Sequence, residues 1–250
     1  MKPIALHIFS LRDEARRDMR GVLQKVADIG YQGVEFFSLY GRTPAEVKPI
    51  VDDLGLAVCS AHMPLPTPEN AGELIEFCHT LGIPRLIHTF RPEHLAALEG
   101  CREAAAKVRV ALSLLEGSGI AFGLHNHWAA FQTVEGHLPE DILLAAAPEV
   151  FAEVDVYWAQ VGCGDALGQV ARLKRRVPLL HVKDGPVEPK EPMTAVGSGT
   201  LDIPALVRAT DPDVLEWLIV EQDSSAGSMM EDVARSYRYL VAQGLGIGNR

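Results

Sequence analysis

Three apolar runs in the second half of this chain each end on a residue type that binds metals: Val150 to Asp155, Val177 to His181, and Leu215 to Glu221. If these runs are successive parallel strands, Asp155, His181 and Glu221 converge at one end of the sheet, since parallel strands carry their C-terminal ends on a common face. Two carboxylates and an imidazole on a rigid rim suit a divalent cation such as Mn²⁺, Co²⁺, Zn²⁺ or Mg²⁺. Asp155 lies in a segment otherwise rich in Val and Phe, where an unpartnered carboxylate is too costly to persist. It therefore needs a metal or a basic neighbour. His181 would bind as the neutral imidazole, its second ring nitrogen oriented by another group. Glu221 has a further use: a carboxylate beside a metal and a substrate C–H can take the proton next to a carbonyl. Glu153 stands two residues before Asp155 and shares its side of the strand. An ion pair low in the sheet explains it as well as a site role does.

The elements that must position these groups alternate along the chain. Nearly continuous apolar segments at 3–9, 33–37, 56–62, 84–89, 120–125, 150–155, 178–182 and 215–221 read as parallel strands covered on both faces. Between them, apolar residues at three- and four-residue spacing predict helices near 17–29, 43–53, 69–81, 92–117, 138–146, 165–176, 201–209 and 229–243. Thr43 followed by Pro44 is a helix start, and Gly30, Gly55 and Gly82 fall at helix ends. Eight strand–helix units predict an α/β fold, a (β/α)₈ TIM barrel forming a single domain over 1–250. An open doubly wound sheet is the alternative, disfavoured because no Gly-x-Gly-x-x-Gly follows the first strand. The longest irregular stretch, Gly185 to Thr200, contains Pro186, Pro189 and Pro192 and would lie on the catalytic face. The tail from Gly244 to Asn249 is expected to fray.

Composition narrows the partners. A formal charge of −10 argues against a nucleic-acid backbone, whose binders show a basic face. Cys59, Cys78, Cys101 and Cys163 are widely spaced, as free thiols in a reducing compartment would be. There is no apolar N-terminal stretch of signal-peptide length and no run near the roughly 20 residues of a membrane span. A cytoplasmic protein that binds no membrane is expected.

Five local patterns occur in a telling order: His125-Asn126-His127, Glu153-Val154-Asp155-Val156-Tyr157-Trp158, His181-Val182-Lys183-Asp184, Val196 to Asp202, and Val220-Glu221-Gln222-Asp223. Together they resemble the sugar phosphate isomerase/epimerase family of xylose-isomerase-like barrels, over nearly the whole chain. The resemblance implies a metal-dependent enzyme that moves a proton next to the carbonyl of a keto-sugar, sugar phosphate or polyol derivative. It also marks a departure. Relatives with His-Asn-His after strand five carry a glutamate shortly afterwards that resembles a first metal ligand, and here Ala130 takes its place. His125 and Gln132 are then candidates for the fourth ligand, with water as another occupant. If the reaction is an epimerisation, His125 or His127 would serve as the second proton carrier.

With a sugar as the implied substrate, other residues acquire readings. Lys183 would stabilise an enediolate oxygen or hold a phosphate, unless it pairs with Asp184 or Glu153. His62, His88, His127 and Glu35 would meet substrate hydroxyls, each with a capping or core role as the alternative, and His7 is a weaker candidate. Trp158 would stack on a sugar face or cover the rim. Gly197-Ser198-Gly199 reads better as a turn than as a phosphate-binding nest. Barrels of this kind often pair through outer helices, so a homodimer is one expectation, although no surface stripe marks the face. Two further readings compete with the isomerase: a sugar-binding barrel that has lost a ligand, and a metal-dependent hydrolase or endonuclease, which would want a basic face.

Overall fold

The computed structural model describes residues 1–187 and 191–248; Pro189 and Asn249, both within stretches singled out above, lie outside them. Eight strands, β1 (Lys2–His7), β2 (Gly33–Phe36), β3 (Ala57–His62), β4 (Arg85–His88), β5 (Ala121–His125), β6 (Phe151–Asp155), β7 (Leu179–Val182) and β8 (Trp217–Val220), pair in sequence order. Every pairing is parallel, and β1 bonds both β8 and β2, which closes the barrel. The helices are α1 (Arg12–Arg17), α2 (Met19–Ile29), α3 (Pro44–Asp53), α4 (Ala71–Leu81), α5 (Pro92–Leu95), α6 (Leu98–Leu115), α7 (Pro139–Leu144), α8 (Val156–Cys163), α9 (Ala166–Leu173), α10 (Ile203–Arg208) and α11 (Met229–Ala242).

Strand alternation sorts the side chains into two shells. Leu6, Val34, Leu86, Leu124, Val154, Leu180 and Val220 join the large core shared with the helices. Ala5, Cys59, Ile87, Phe151, Leu179 and Ile219 form a separate small cluster inside the barrel, with Trp217 against it. This apolar plug fills the lower interior. Phe151 can reach across it only because β5 carries Gly123, where an added Cβ would lie 2.2 Å from the Phe151 ring. Burying such side chains is worth about 1.5–3 kcal/mol each. The plug is a rigid floor for the polar layer above it.

The helix signals act as expected at several ends. Thr43 and Glu46 form a complete capping box, and Gly30 and Gly82 close α2 and α4 in the left-handed conformation. Three expectations are corrected. The helix anticipated over 92–117 is two, because Ala97 is extended and the break lets both Leu95 and Cys101 reach the core. An unanticipated helix, α8, follows β6 directly: Val156-Tyr157-Trp158 shows no helical period, and its cap is Asp155 itself. The tail does not simply fray, since Gly246–Ile247 pairs parallel with Lys2 and Pro3 as a short β9 while Leu245 packs into the core. The four cysteines are free thiols. No helix among the described residues is long and apolar enough to cross a membrane.

Candidate active site

Register brings the chemistry together. Asp155 pairs with His181 across β6–β7, and His181 pairs with Ile219 across β7–β8, two residues before Glu221. Asp155 is held at three points. Its Oδ1 accepts the Trp158 N–H at 2.8 Å as the cap of α8. Asn126 donates from Nδ2 to its carbonyl at 3.1 Å, and Asn126 Oδ1 accepts its N–H at 2.9 Å. The remaining oxygen, Oδ2, is 3.5 Å from His125 Nε2. His125 Nδ1 lies 3.2 Å from the Thr89 hydroxyl. With the proton on Nδ1 and donated to Thr89, Nε2 offers a lone pair. Burial holds His125 well below the usual histidine range, so it is neutral at physiological pH. His181 Nδ1 is 2.9 Å from Glu221 Oε2, and Glu221 Oε1 is 3.0 Å from His7 Nδ1.

One donor atom from each of His125, Asp155, His181 and Glu221 lies within 4.8 Å of the others. Asp155 Oδ2 meets the Lys183 ammonium, and His125 Nε2 is buried and makes no hydrogen bond. A buried lone pair of this kind is costly unless something meets it. Two carboxylates and two imidazoles are suitable ligands for a divalent cation, so the residues present fit the metal that the sequence suggested.

Lys183 supplies a competing charge. Its Nζ, almost fully buried, is 3.1 Å from Asp155 Oδ2, 2.9 Å from Glu221 Oε2 and 3.0 Å from Asp223 Oδ1. Burial alone would lower the ammonium, but the three carboxylates push it above the ordinary lysine range. Against the cost of its own burial, Asp155 is held down at about 2, chiefly by Lys183. Asp223 goes the other way, raised to about 6 by burial and by the charges of Glu221 and Asp155, although Lys183 opposes the rise. Lys183 therefore pairs with neither Asp184 nor Glu153.

A second set lies deeper. Glu35, His62, Glu153 and His181 also present atoms within 4.8 Å of one another. His181 Nε2 is 2.7 Å from Glu35 Oε2, which the Ser60 hydroxyl anchors through Oε1 at 2.6 Å. His62 Nε2 is 2.7 Å from Glu153 Oε2. Although burial opposes it, the charges of Glu35 and Glu153 push His62 up to about 10. Glu35 fixes the ring of His181 from below.

A cavity of about 380 Å³ opens above these groups, lined by His7, Phe9, Phe37, His62, Thr89, His125, His127, Trp158, Glu221 and Asp223. A wider groove of about 560 Å³ around Arg109, Phe122 and Glu149 lies at the start of β5, away from the cluster. The barrel-mouth cavity is the one with chemistry. His62, His125, His127, Trp158 and Glu221 reach it as expected from the sequence. Glu35 does not line it: fully buried beneath His181, Glu35 is placed to orient a ring rather than to meet substrate. His88 does not line it either; its Nδ1 lies 3.2 Å from the Met63 carbonyl, and burial lowers it to about 4. Gln132 is exposed at the end of the short turn Trp128–Phe131 and is not brought to the donor cluster. The nest at Gly197–Gly199 is filled by Asp184, whose carboxylate accepts the N–H groups of Gly185, Gly197, Gly199 and Leu201. Thr89, Phe9, Phe37, Asp223 and the clamp of Asn126 were missed by sequence reasoning. A signal existed for Asn126 and Asp223, each inside a singled-out motif; none marked Phe9 or Phe37.

Comparison with known proteins agrees with this architecture. The profile of the xylose isomerase-like TIM barrel family matches residues 23–240. The chain belongs to the xylose isomerase-like TIM barrels. No curated protein matches the sequence significantly. Among solved structures, this family member is similar to a sugar phosphate isomerase/epimerase from Parabacteroides distasonis ATCC 8503, at 25% identity and a TM-score of 0.82, covering 98% of this chain and 96% of that one. It shares the fold of a D-allulose 3-epimerase from Methylomonas sp. solved with D-allulose, at 15% identity and a TM-score of 0.73 over 97% and 96% of the two chains. It also shares the fold of the IOLI protein solved with a zinc atom, at 11% identity and a TM-score of 0.75 over 98% of each.

Proposed function

We propose that the protein is a metal-dependent sugar isomerase or epimerase acting next to a carbonyl, with His125, Asp155, His181 and Glu221 as the metal ligands. The observation that carries this reading is the convergence of four ligand-type atoms within 4.8 Å of one another, with His125 Nε2 buried and making no hydrogen bond. His125 takes the ligand position that Ala130 leaves open. A divalent cation there supplies Lewis-acid polarisation of a substrate carbonyl.

The chain's own residues do the rest. Glu221 lines the cavity and is the base for the proton adjacent to the carbonyl. Its Oε1 faces His7, which can relay that proton. Asp223 lines the same cavity two residues on and shares Lys183 with Glu221, so it is placed to return a proton. Lys183 stabilises negative charge developing on substrate oxygen. Trp158 and His127 give the sugar a stacking wall. The substrate is a small molecule, and the metal is one of Mn²⁺, Co²⁺, Zn²⁺ or Mg²⁺.

The test is metal content by mass spectrometry after purification without chelator, combined with solvent-deuterium exchange into keto-sugars. About one equivalent of metal and exchange that vanish together in Asp155→Ala are expected. Metal and exchange both surviving Asp155→Ala would sink the assignment. Ala130 favours one alternative, a sugar-binding barrel without turnover; protein that neither retains nor regains metal would bring it forward.

A further inference from the structure

The mouth of the barrel has two aromatic walls. Phe9 follows β1 and Phe37 follows β2, while His127 follows β5 and Trp158 heads the helix after β6. In a closed barrel whose eight strands pair in sequence order, β1–β2 and β5–β6 are four strands apart and face each other across the opening. Phe37 is 52% exposed, although it is large and apolar. It meets Phe9 edge to face, with ring centroids 5.3 Å apart. Phe9 is braced from behind by the Arg12 guanidinium, 4.4 Å from its centroid. An apolar wall held this rigidly and left open to solvent points to a planar apolar ligand group.

Charge at the same mouth selects against an anion. Arg12 donates one N–H from Nη1 to the carbonyl of Phe9, at 3.0 Å, and one from Nη2 to that of Asp223, at 2.9 Å. Lys183 is surrounded by three carboxylates. The backbone nest that would hold a phosphate already holds Asp184. Glu221 and Asp223 are carboxylates in the cavity lining. Lys183, the backbone nest and two N–H groups of Arg12 are thus each met by an acceptor of the protein itself.

We infer that the substrate is an unphosphorylated oxo-glycoside, a glycoside whose ring ketone supplies the carbonyl, with an apolar, planar aglycone, its sugar ring at the Trp158 and His127 wall and its aglycone against Phe9 and Phe37. This rests on the sugar-isomerase reading and narrows it. The cavity of about 380 Å³ falls within the range of about 300–1,000 Å³ usual for small-molecule sites.

Ligand-observed NMR titrations of the full chain test it with matched probes of glucose, galactose and xylose: the phenyl glycoside, the methyl glycoside and the terminal phosphate ester. In at least one series the phenyl glycoside is expected to bind about tenfold more tightly than the methyl glycoside, with the phosphate ester no tighter than the methyl. Phe37→Ala, at an exposed position, should erase the phenyl advantage, lowering phenyl-glycoside affinity more than methyl-glycoside affinity; Phe37→Tyr should keep the advantage. The inference is overturned if a phosphate ester binds more tightly than its methyl glycoside, if phenyl confers nothing, if its advantage survives Phe37→Ala, or if no glycoside binds. These are binding readouts. The glycoside probes have no carbonyl and read binding alone; absence of solvent-deuterium exchange into keto-sugars would count against the isomerase chemistry and leave the substrate class standing.

Discussion

Replacing Lys183 with Met tests whether the ammonium and a divalent cation share one place. The methionine keeps the length of the stem and removes the charge. In the metal-free protein, Lys183 is the cation nearest Asp155 and Glu221, at 3.1 and 2.9 Å, and it also binds Asp223 at 3.0 Å. Removing one partner of a buried pair costs about 3–5 kcal/mol, because the other charge is left uncompensated. Asp223 is 28% exposed and can turn to solvent, so the low end, about 3 kcal/mol, is expected. For a domain of this size each kcal/mol moves Tm by about 2–4 °C, which gives a fall of roughly 6–12 °C. Manganese at about 100 times its Kd should stabilise the wild type by about 2.7 kcal/mol. It should stabilise Lys183→Met by more, since the ion then meets two carboxylates with no ammonium to displace. Scanning calorimetry with chelator and with manganese measures both shifts. A metal-induced shift in Lys183→Met equal to or smaller than that of the wild type would refute the reasoning, for the metal would then not lie between Asp155 and Glu221.

Three further outcomes follow from the same structure. Glu35→Gln should weaken metal binding by about 10–100-fold, as loss of a ligand-orienting carboxylate does; competition against a fluorescent chelator measures it, and unchanged affinity would remove Glu35 from that role. Glu140, buried in α7, is raised by that burial from 4.5 to about 7. A raised folded pKa gives a contribution that is full below pH 4.5 and lost as pH rises through 7, so Glu140→Gln should gain about 3 kcal/mol over the wild type between pH 4.5 and pH 8. Parallel urea titrations at the two pH values check this, and a constant difference would contradict it. Asp184→Ala strips an acceptor from four backbone N–H groups; it should cost about 3 kcal/mol or more and speed hydrogen exchange at Gly197 and Gly199, whereas unchanged protection there would show that the loop holds itself.

The sequence by itself determined the barrel and the rim. Continuous apolar runs specify buried parallel strands, three-to-four spacing specifies the helices that cover them, and parallel strands put their last residues on one face. That logic alone brings Asp155, His181 and Glu221 together, and the structure agrees. What only the tertiary structure decided is pairing among residues distant in the chain. Glu35 lies 146 positions from His181, yet the closure of β1 onto β2 and β8 seats it beneath that ring. Lys183 pairs with Asp155, Glu221 and Asp223 rather than with Asp184 or Glu153, a choice among strand ends that no local pattern encodes. Gln132 was a candidate through the family resemblance alone, and the Trp128–Phe131 turn leaves it exposed at the surface. Phe9 and Phe37 sat in apolar strand ends indistinguishable from core, and became a wall only because the strands stop short of them. Local periodicity is a property of neighbours along the chain; a site is a property of neighbours in space, and the barrel makes those from strands far apart in sequence.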